Sequence, residues 1–88
     1  MFEFDPAKSA ANKAKHGIDF EEAQALWLDE RKVSGRIEWP GETRWTVVGR
    51  IHGKLWSAVV TFRGEAIRII SVRRARPKEA AKYETQTD

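Results

Sequence analysis

Cysteine is absent from this chain of 88 residues. Its absence excludes disulfide bonds, zinc–thiolate sites and cysteine nucleophiles. No apolar run is long enough to span a bilayer, and the acidic start over residues 1–5 is unlike a secretory signal. No Gly-rich phosphate loop, Ser-His-Asp order or metal-ligand spacing is present. We therefore expect a cytoplasmic protein with no membrane association, no metal site and no cofactor.

Charge is unevenly distributed along the chain. Residues 1–43 carry 6 basic and 9 acidic side chains, a balance of −3, whereas residues 44–88 carry 10 and 4, a balance of +6, which gives the total of +3. Nine of the 16 basic residues are arginine, whose planar guanidinium suits phosphate. The basic half indicates a nucleic acid or an acidic protein as partner, and the alternative is a merely soluble basic surface.

The first half of the chain predicts two short helices. Asp5 is a good N-cap, Pro6 fits the first helical position, and Gly17 is a natural C-cap. Asp19 begins a second helix, with Glu22 at the capping-box position. Helical spacing predicts one small apolar stripe on the first helix, made of Ala7, Ala10, Ala11, Ala14 and Ile18.

In the second half the hydrophobic period changes to two, which is typical of strands. The predicted strands are residues 2–4, 43–51, 54–63 and 66–74, with a short one at 33–39 inside a charged loop over residues 29–41. Arg76 and Pro77 then open a last helix that runs through Tyr83. We predict one α+β domain over residues 1–88, ordered β-α-α-β-β-β(-β)-α, with two helices packed on an antiparallel sheet.

Two-residue hairpin turns fix the faces of the three long strands. They would pair Ile51 with Lys54, and Arg63 with Ala66, so that alternate side chains sort onto two faces. The core face collects Trp45, Val47, Trp56, Ala58, Val60, Phe62, Ile67 and Ile69. The opposite face collects Arg44, Thr46, Arg50, Ser57, Thr61, Arg63 and Arg68, beside Val48, Val59, Ile70 and Val72. Arg73 is expected to leave on the core side near the sheet end, where it could curl around the edge or anchor the final helix.

Arginines and hydroxyls grouped on one sheet face predict a phosphate-binding surface. Arg44, Thr61 and Arg68 would stand in one row across three strands. The alternative is that these arginines are solvated or paired with acids.

Several other side chains have both a structural and a functional interpretation. His16 could interact with the helix dipole or act as a general acid or base. Glu42 could pair with Arg44 or serve as a general base. Tyr83 could anchor the last helix or reach the arginines, and Trp39 could stack on a base or on a partner protein.

An ordered set of short motifs runs along nearly the whole chain. They are residues 4–8, Asn12, residues 15–17, residues 20–23, Glu42 with Arg44, residues 49–50, residues 60–63, residues 68–75 and the Glu79/Tyr83 spacing. As an ordered set, these motifs resemble the BrnT toxin family. The resemblance implies a RelE-like, metal-independent endoribonuclease toxin that cleaves RNA and inhibits translation. It also implies neutralisation by a BrnA-type antitoxin, through which alone the protein would reach operator DNA.

In the chemistry that the resemblance implies, the RNA 2′-OH attacks the adjacent phosphate while the protein orients the chain, stabilises charge and moves protons. Arginine suits the charge role but stays protonated. The catalytic candidates are Arg63, Arg68, Arg73, His16, Glu42 and Tyr83, and the RNA-binding candidates are Arg44, Arg50, Lys15 and Thr61. The proton-transfer residue stays open among His16, Glu42, Tyr83 and Lys15.

The lack of an obvious general base favours an alternative function. The chain would then be a non-catalytic basic module that binds RNA or a protein.

Overall fold

The computed structural model describes residues 1–86 and has a mixed five-stranded sheet with helices on both faces. The elements are β1 (Phe2–Glu3), α1 (Pro6–His16), a 3-10 helix (Glu22–Leu28), β2 (Val33–Trp39), β3 (Glu42–Ile51), β4 (Lys54–Arg63), β5 (Ala66–Arg74) and α2 (Pro77–Thr85). The strand order is β1-β5-β4-β3-β2. The α+β class is confirmed, including the strand expected within the charged loop.

The expectation of a purely antiparallel sheet is wrong, because β1 runs parallel to β5. The other three strand pairs are antiparallel. Hairpin turns force neighbouring strands to run in opposite directions. All the other strands and two helices lie between β1 and β5 in the chain, so no hairpin fixes their relative direction.

Both predicted hairpins are confirmed, with the strand ends paired as expected. In the β3–β4 turn, His52 and Gly53 have φ values of 49° and 79°. Two-residue hairpins use such left-handed turns because their twist matches that of the strands. In the β4–β5 turn Gly64 has a φ of 61°, which fits the mirror-image turn type that begins with glycine.

A β-bulge in β5 reverses the faces of its last residues. Between Ile69 and Ser71 the register shifts, and Ile70 becomes the extra residue opposite β4. As a result Val72 lies in the core, with none of its surface exposed, and Arg73 lies on the opposite face. The prediction of Val72 on the open face and Arg73 on the core side is wrong, because one inserted residue inverts the alternation of a strand.

The hydrophobic core lies between the sheet and the 3-10 helix. The expected capping box is present: the Glu22 N–H donates to Asp19 Oδ1 at 2.7 Å, and the Asp19 N–H donates to Glu22 Oε1 at 2.9 Å. The helix that follows is a 3-10 helix, not the predicted α-helix. Three residues per turn align Ala23 with Leu26, and both are fully buried against the sheet.

Helix α1 docks through polar side chains, so the predicted apolar stripe is wrong for its four alanines, although Ile18 is buried in the core. Ser9 and Asn12 are 8% exposed each, whereas Ala7, Ala10, Ala11 and Ala14 are exposed. The Asn12 amide donates to the carbonyls of Ile18 (2.8 Å) and Val72 (2.9 Å) and accepts from the Val72 N–H (3.3 Å). The short β1 leaves this part of β5 without a strand neighbour, and a polar side chain can satisfy its backbone where alanine cannot.

Helix α2 lies on the other face of the sheet, the face of Ser57 and Val48. Glu79 accepts a hydrogen bond from the Ser57 hydroxyl of β4 at 3.1 Å. Tyr83 is 5% exposed and Val48 of β3 is buried on the same face. Within residues 1–86, no helix combines the length and the apolar character that crossing a membrane requires.

Candidate functional site

Helix α2 covers the half of its sheet face nearest the β3–β4 turn, and within residues 1–86 no helix lies over the other half. The register places a set of polar and aromatic side chains there, which we call the arginine face: Glu3, Trp39, Glu42, Arg44, Thr61, Arg63 and Arg68. Thr61 pairs with Arg68, and the pair Trp45–Val60 sets Arg44 beside Thr61. The predicted row of Arg44, Thr61 and Arg68 is therefore confirmed.

Arg44 is held from two sides. Its Nε donates to Glu42 Oε2 at 2.7 Å, and its guanidinium carbon lies over the Trp39 ring, 4.3 Å from the centroid. Within residues 1–86, no other hydrogen bond engages its two terminal nitrogens, so they can donate to a ligand. A guanidinium fixed in this way loses little freedom when it binds a phosphate.

Arg68 lies beside a carboxylate that sequence reasoning missed. Strand β1 pairs Glu3 with Arg68, and Arg68 Nη1 lies 3.8 Å from Glu3 Oε1, which makes a loose ion pair. The alternation of residues 2–4 already set Glu3 apart from its apolar neighbours. Which strand β1 would join had no signal in the sequence, so the neighbour of Glu3 was not predictable.

Arg63 and Thr61 differ in what they offer a ligand. Arg63 is exposed at the end of β4, and in the part of the chain that the structure describes no ion pair or hydrogen bond engages its guanidinium. Thr61 is buried, and its hydroxyl donates to the Thr43 carbonyl at 2.8 Å. Thr61 therefore packs within the arginine face, whereas Arg63 lies exposed at its rim and can bind a ligand.

Arg73 reaches the same side of the sheet because of the bulge, but α2 engages it. Its Nη1 and Nη2 donate to the two carboxylate oxygens of Glu79 at 2.7 Å and 3.0 Å. The hydrogen bonds from Arg73, with further ones from the Arg76 N–H and the Ser57 hydroxyl, lower the pKa of Glu79 from 4.5 to about 2 although burial opposes them. Arg73 thus fastens α2 to the sheet.

Arg50 and Tyr83 also hold α2. The Tyr83 hydroxyl and the Arg50 backbone N–H donate to the same oxygen of Asp29, at 2.7 Å and 2.8 Å. The Arg50 guanidinium lies 5.5 Å from the centroid of the Tyr83 ring. Burial, together with the hydrogen bond to Asp29, raises the pKa of the Tyr83 phenol. Burial alone would raise the pKa of Asp29, but the hydrogen bonds from Arg50 and Tyr83 outweigh burial, so the pKa of Asp29 is lowered.

The structure does not bring His16 and Lys15 to the arginine face. Both lie at the C-terminal end of α1, which packs along β5 on the core side, where Ser9 accepts a hydrogen bond from the Phe20 N–H. The sheet therefore separates them from Arg68. Among residues 1–86, no three His, Asp or Glu side chains form a group that could hold a metal ion.

Comparison with known proteins identifies the family. No curated protein sequence matches the chain significantly. A family model described as the ribonuclease toxin BrnT of a type II toxin–antitoxin system matches residues 4–79. The matched segment extends from α1 into α2 and includes the arginine face apart from Glu3. The chain therefore belongs to the BrnT family of ribonuclease toxins of type II toxin–antitoxin systems.

Proposed function

We propose that the protein is a RelE-like, metal-independent endoribonuclease that acts in the cytoplasm, cleaves RNA on the arginine face and thereby inhibits translation. The observation that carries the proposal is the row of Arg44, Thr61 and Arg68 on the uncovered half of the sheet. Arg63 at its rim adds a third guanidinium. Three cations on one face of the sheet favour a polyanion over an isolated carboxylate.

The proposed reaction needs charge stabilisation above all. The RNA 2′-oxygen attacks the adjacent phosphorus, the bond from phosphorus to the 5′-oxygen breaks, and a cyclic 2′,3′-phosphate and a 5′-hydroxyl form. Arg44, Arg63 and Arg68 would donate to the phosphate oxygens, whose negative charge grows in the transition state. Each such contact is typically worth about 3 kcal/mol, or roughly a hundredfold in rate.

Proton transfer in this mechanism falls to the carboxylates beside the arginines. Glu42 and Glu3 lie at the two ends of the row, next to Arg44 and Arg68 respectively. One would accept the proton of the 2′-OH, and the leaving 5′-oxygen takes up a proton as the bond breaks. Glu3 has the looser ion pair, at 3.8 Å against 2.7 Å for Glu42, so its lone pairs are more available. We place Arg50, Arg73 and Tyr83 in the support of α2, and His16 and Lys15 outside the site.

The partner that controls the toxin is proposed to be a BrnA-type antitoxin. The type II system to which the family belongs includes a protein antitoxin. We expect an acidic segment of it to cover the arginine face, where Arg63 is exposed and Arg44 keeps its two terminal nitrogens for a ligand. Contact with operator DNA would then come through the antitoxin.

Expression of the chain without an antitoxin tests the proposed function. We expect growth arrest and loss of intact messenger RNA. The purified protein should cleave single-stranded RNA in the presence of EDTA and leave 5′-hydroxyl ends. Unchanged growth and intact RNA would contradict the toxin function, and cleavage that EDTA abolishes would contradict metal independence.

A second function is favoured by one observation, the tight pairing of Glu42 with Arg44. A carboxylate oxygen that already accepts a hydrogen bond from a guanidinium at 2.7 Å has a structural role, as a non-catalytic RNA-binding or protein-interaction module would allow. Such a module would bind RNA with a steep dependence on salt and release no cleavage products. Product analysis by gel electrophoresis separates the two functions.

A further inference from the structure

We propose that Trp39 forms a nucleobase-binding subsite at the end of the arginine row, where an unpaired RNA base stacks on its indole. The inference rests on the proposed RNA site and adds a residue that reads a base instead of a phosphate. The alternative occupant of this ring is the antitoxin.

Trp39 is exposed to a degree that the other three tryptophans are not. Its residue surface is 51% exposed, whereas Trp27, Trp45 and Trp56 are partly buried against the core. Tryptophan is a highly buried residue type on average. Of the four tryptophans, Trp39 on the edge strand β2 therefore has the most apolar surface that a bound ligand could still bury.

The indole is held ready for stacking. Trp39 pairs with Glu42 across the turn at residues 40–41, where Gly41 adopts a φ of 85°. Arg44, itself anchored by Glu42, covers one side of the ring at 4.3 Å. Half of the Trp39 residue surface stays exposed, and within residues 1–86 no second ring packs against the indole, which leaves surface for a base. A fixed ring loses little conformational entropy on binding.

The position of Trp39 fits an RNA strand whose phosphate lies on Arg44. Arg44 pairs with Ile37, two residues before Trp39 on the same face, and two residues of a strand span about 7 Å. The Arg44 guanidinium and the indole therefore lie next to each other, with the guanidinium on one side of the ring and the open side facing away from it. A flat aromatic surface beside a cation is the combination that binds single-stranded nucleic acid, since the base stacks while the phosphate is neutralised.

The test measures binding of a short single-stranded 2′-O-methyl RNA, which lacks the 2′-OH and cannot be cleaved. Trp39→Ala should weaken binding about 5- to 150-fold, the range for loss of one stacked base, whereas Trp39→Phe should keep most of the affinity. Phe62→Ala is the matched control, because Phe62 is a 56% exposed aromatic on the other face of the sheet. It should bind like the wild type.

An abasic nucleotide moved along the same RNA separates stacking from a general loss of structure. At the position whose base stacks on Trp39, the abasic nucleotide should weaken binding of the RNA to the wild type. It should leave binding of the RNA to Trp39→Ala unchanged. Equal affinity of Trp39→Ala and wild type for RNA, or loss of antitoxin binding alone, would overturn the inference and assign the ring to the partner. A wild-type protein that binds no RNA would instead overturn the proposed function on which the inference depends.

Discussion

Arg68 is the residue on which the proposed chemistry can be tested with least damage to the fold. Its contact within the described chain is the loose pair with Glu3, and surface substitutions usually change stability by less than about 0.5 kcal/mol. Arg68→Ala should therefore abolish toxicity, with cleavage reduced about a hundredfold, in a protein that still melts like the wild type. Arg36→Ala removes the same charge from the opposite face of β2 and should remain toxic.

Ile69, the next residue along β5, should matter for stability and not for the cleavage chemistry. It is 2% exposed in the core, so Ile69→Ala should lower the free energy of unfolding by about 2 to 5 kcal/mol through the cavity it leaves. Thermal melts and growth assays on Arg68→Ala and Ile69→Ala are the measurement. A toxic Arg68→Ala protein would show that Arg68 is not needed for cleavage, and one that is inactive only because it unfolds would show that Arg68 supports the fold.

Glu79 predicts a dependence of stability on acid pH. Because its pKa falls from 4.5 to about 2 on folding, its contribution is complete above pH 4.5 and is lost as the pH drops toward 2. The difference corresponds to roughly 3 kcal/mol at most. Glu79→Gln should be less stable at neutral pH and should lose less stability between pH 4.5 and 2. Glu84→Gln, at an exposed position on the same helix, is the control, and equal acid sensitivity of Glu79→Gln and wild type in chemical denaturation would refute the assignment.

At the scale of elements, the polar docking of α1 is the feature that most departs from helix-packing rules. Asn12 satisfies three backbone groups, two of them on Val72 and one on Ile18. Asn12→Ala would leave these groups buried without partners, at a cost of about 1 to 3 kcal/mol for each one that water does not reach. We expect a clear fall in the midpoint of chemical denaturation. Lys8→Ala, on the exposed side of α1, should change it little, and similar midpoints for both variants would mean that α1 docks by other contacts.

At the scale of the whole molecule, the two faces of the sheet have separate tasks. The core face packs against the 3-10 helix and the segment before it, α1 docks on β5, and the opposite face is divided between α2 and the arginine face. This division predicts that RNA and the antitoxin compete for one surface. A structure of the complex, or hydrogen exchange on it, should show β4 and β5 protected around Arg63 and Arg68.

Charge reversal gives a second measurement of the same competition. Arg63→Glu should weaken antitoxin binding, because it places a negative charge where an acidic segment is expected to lie. Phe62→Ala, on the other face, should bind the antitoxin like the wild type. If Phe62→Ala loses the antitoxin while Arg63→Glu keeps it, direct occlusion of the arginine face is the wrong mechanism.

Much of the fold could be predicted from the sequence because its signals are local. Asp5 and Gly17 mark the ends of α1, and the two-residue turns at 52–53 and 64–65 fix the register of three strands. The alternation along these strands then places Arg44 and Arg68 on one face. Capping, turn geometry and alternation each depend on residues close together in the chain, so a single sequence can reveal them.

Only the tertiary structure decided the features that depend on distant neighbours. The bulge at Ile70 moves Arg73 to the other face, where it pairs with Glu79. The backbone groups of Val72 at the edge of β5 are satisfied by Asn12 and not by the alanines of α1. The parallel pairing of β1 brings Glu3 to Arg68. The sequence by itself determined the α+β class, the family and the row of arginines. Which arginines are free and which hold α2 was decided by packing between distant segments, because the free energy of such contacts has no local pattern.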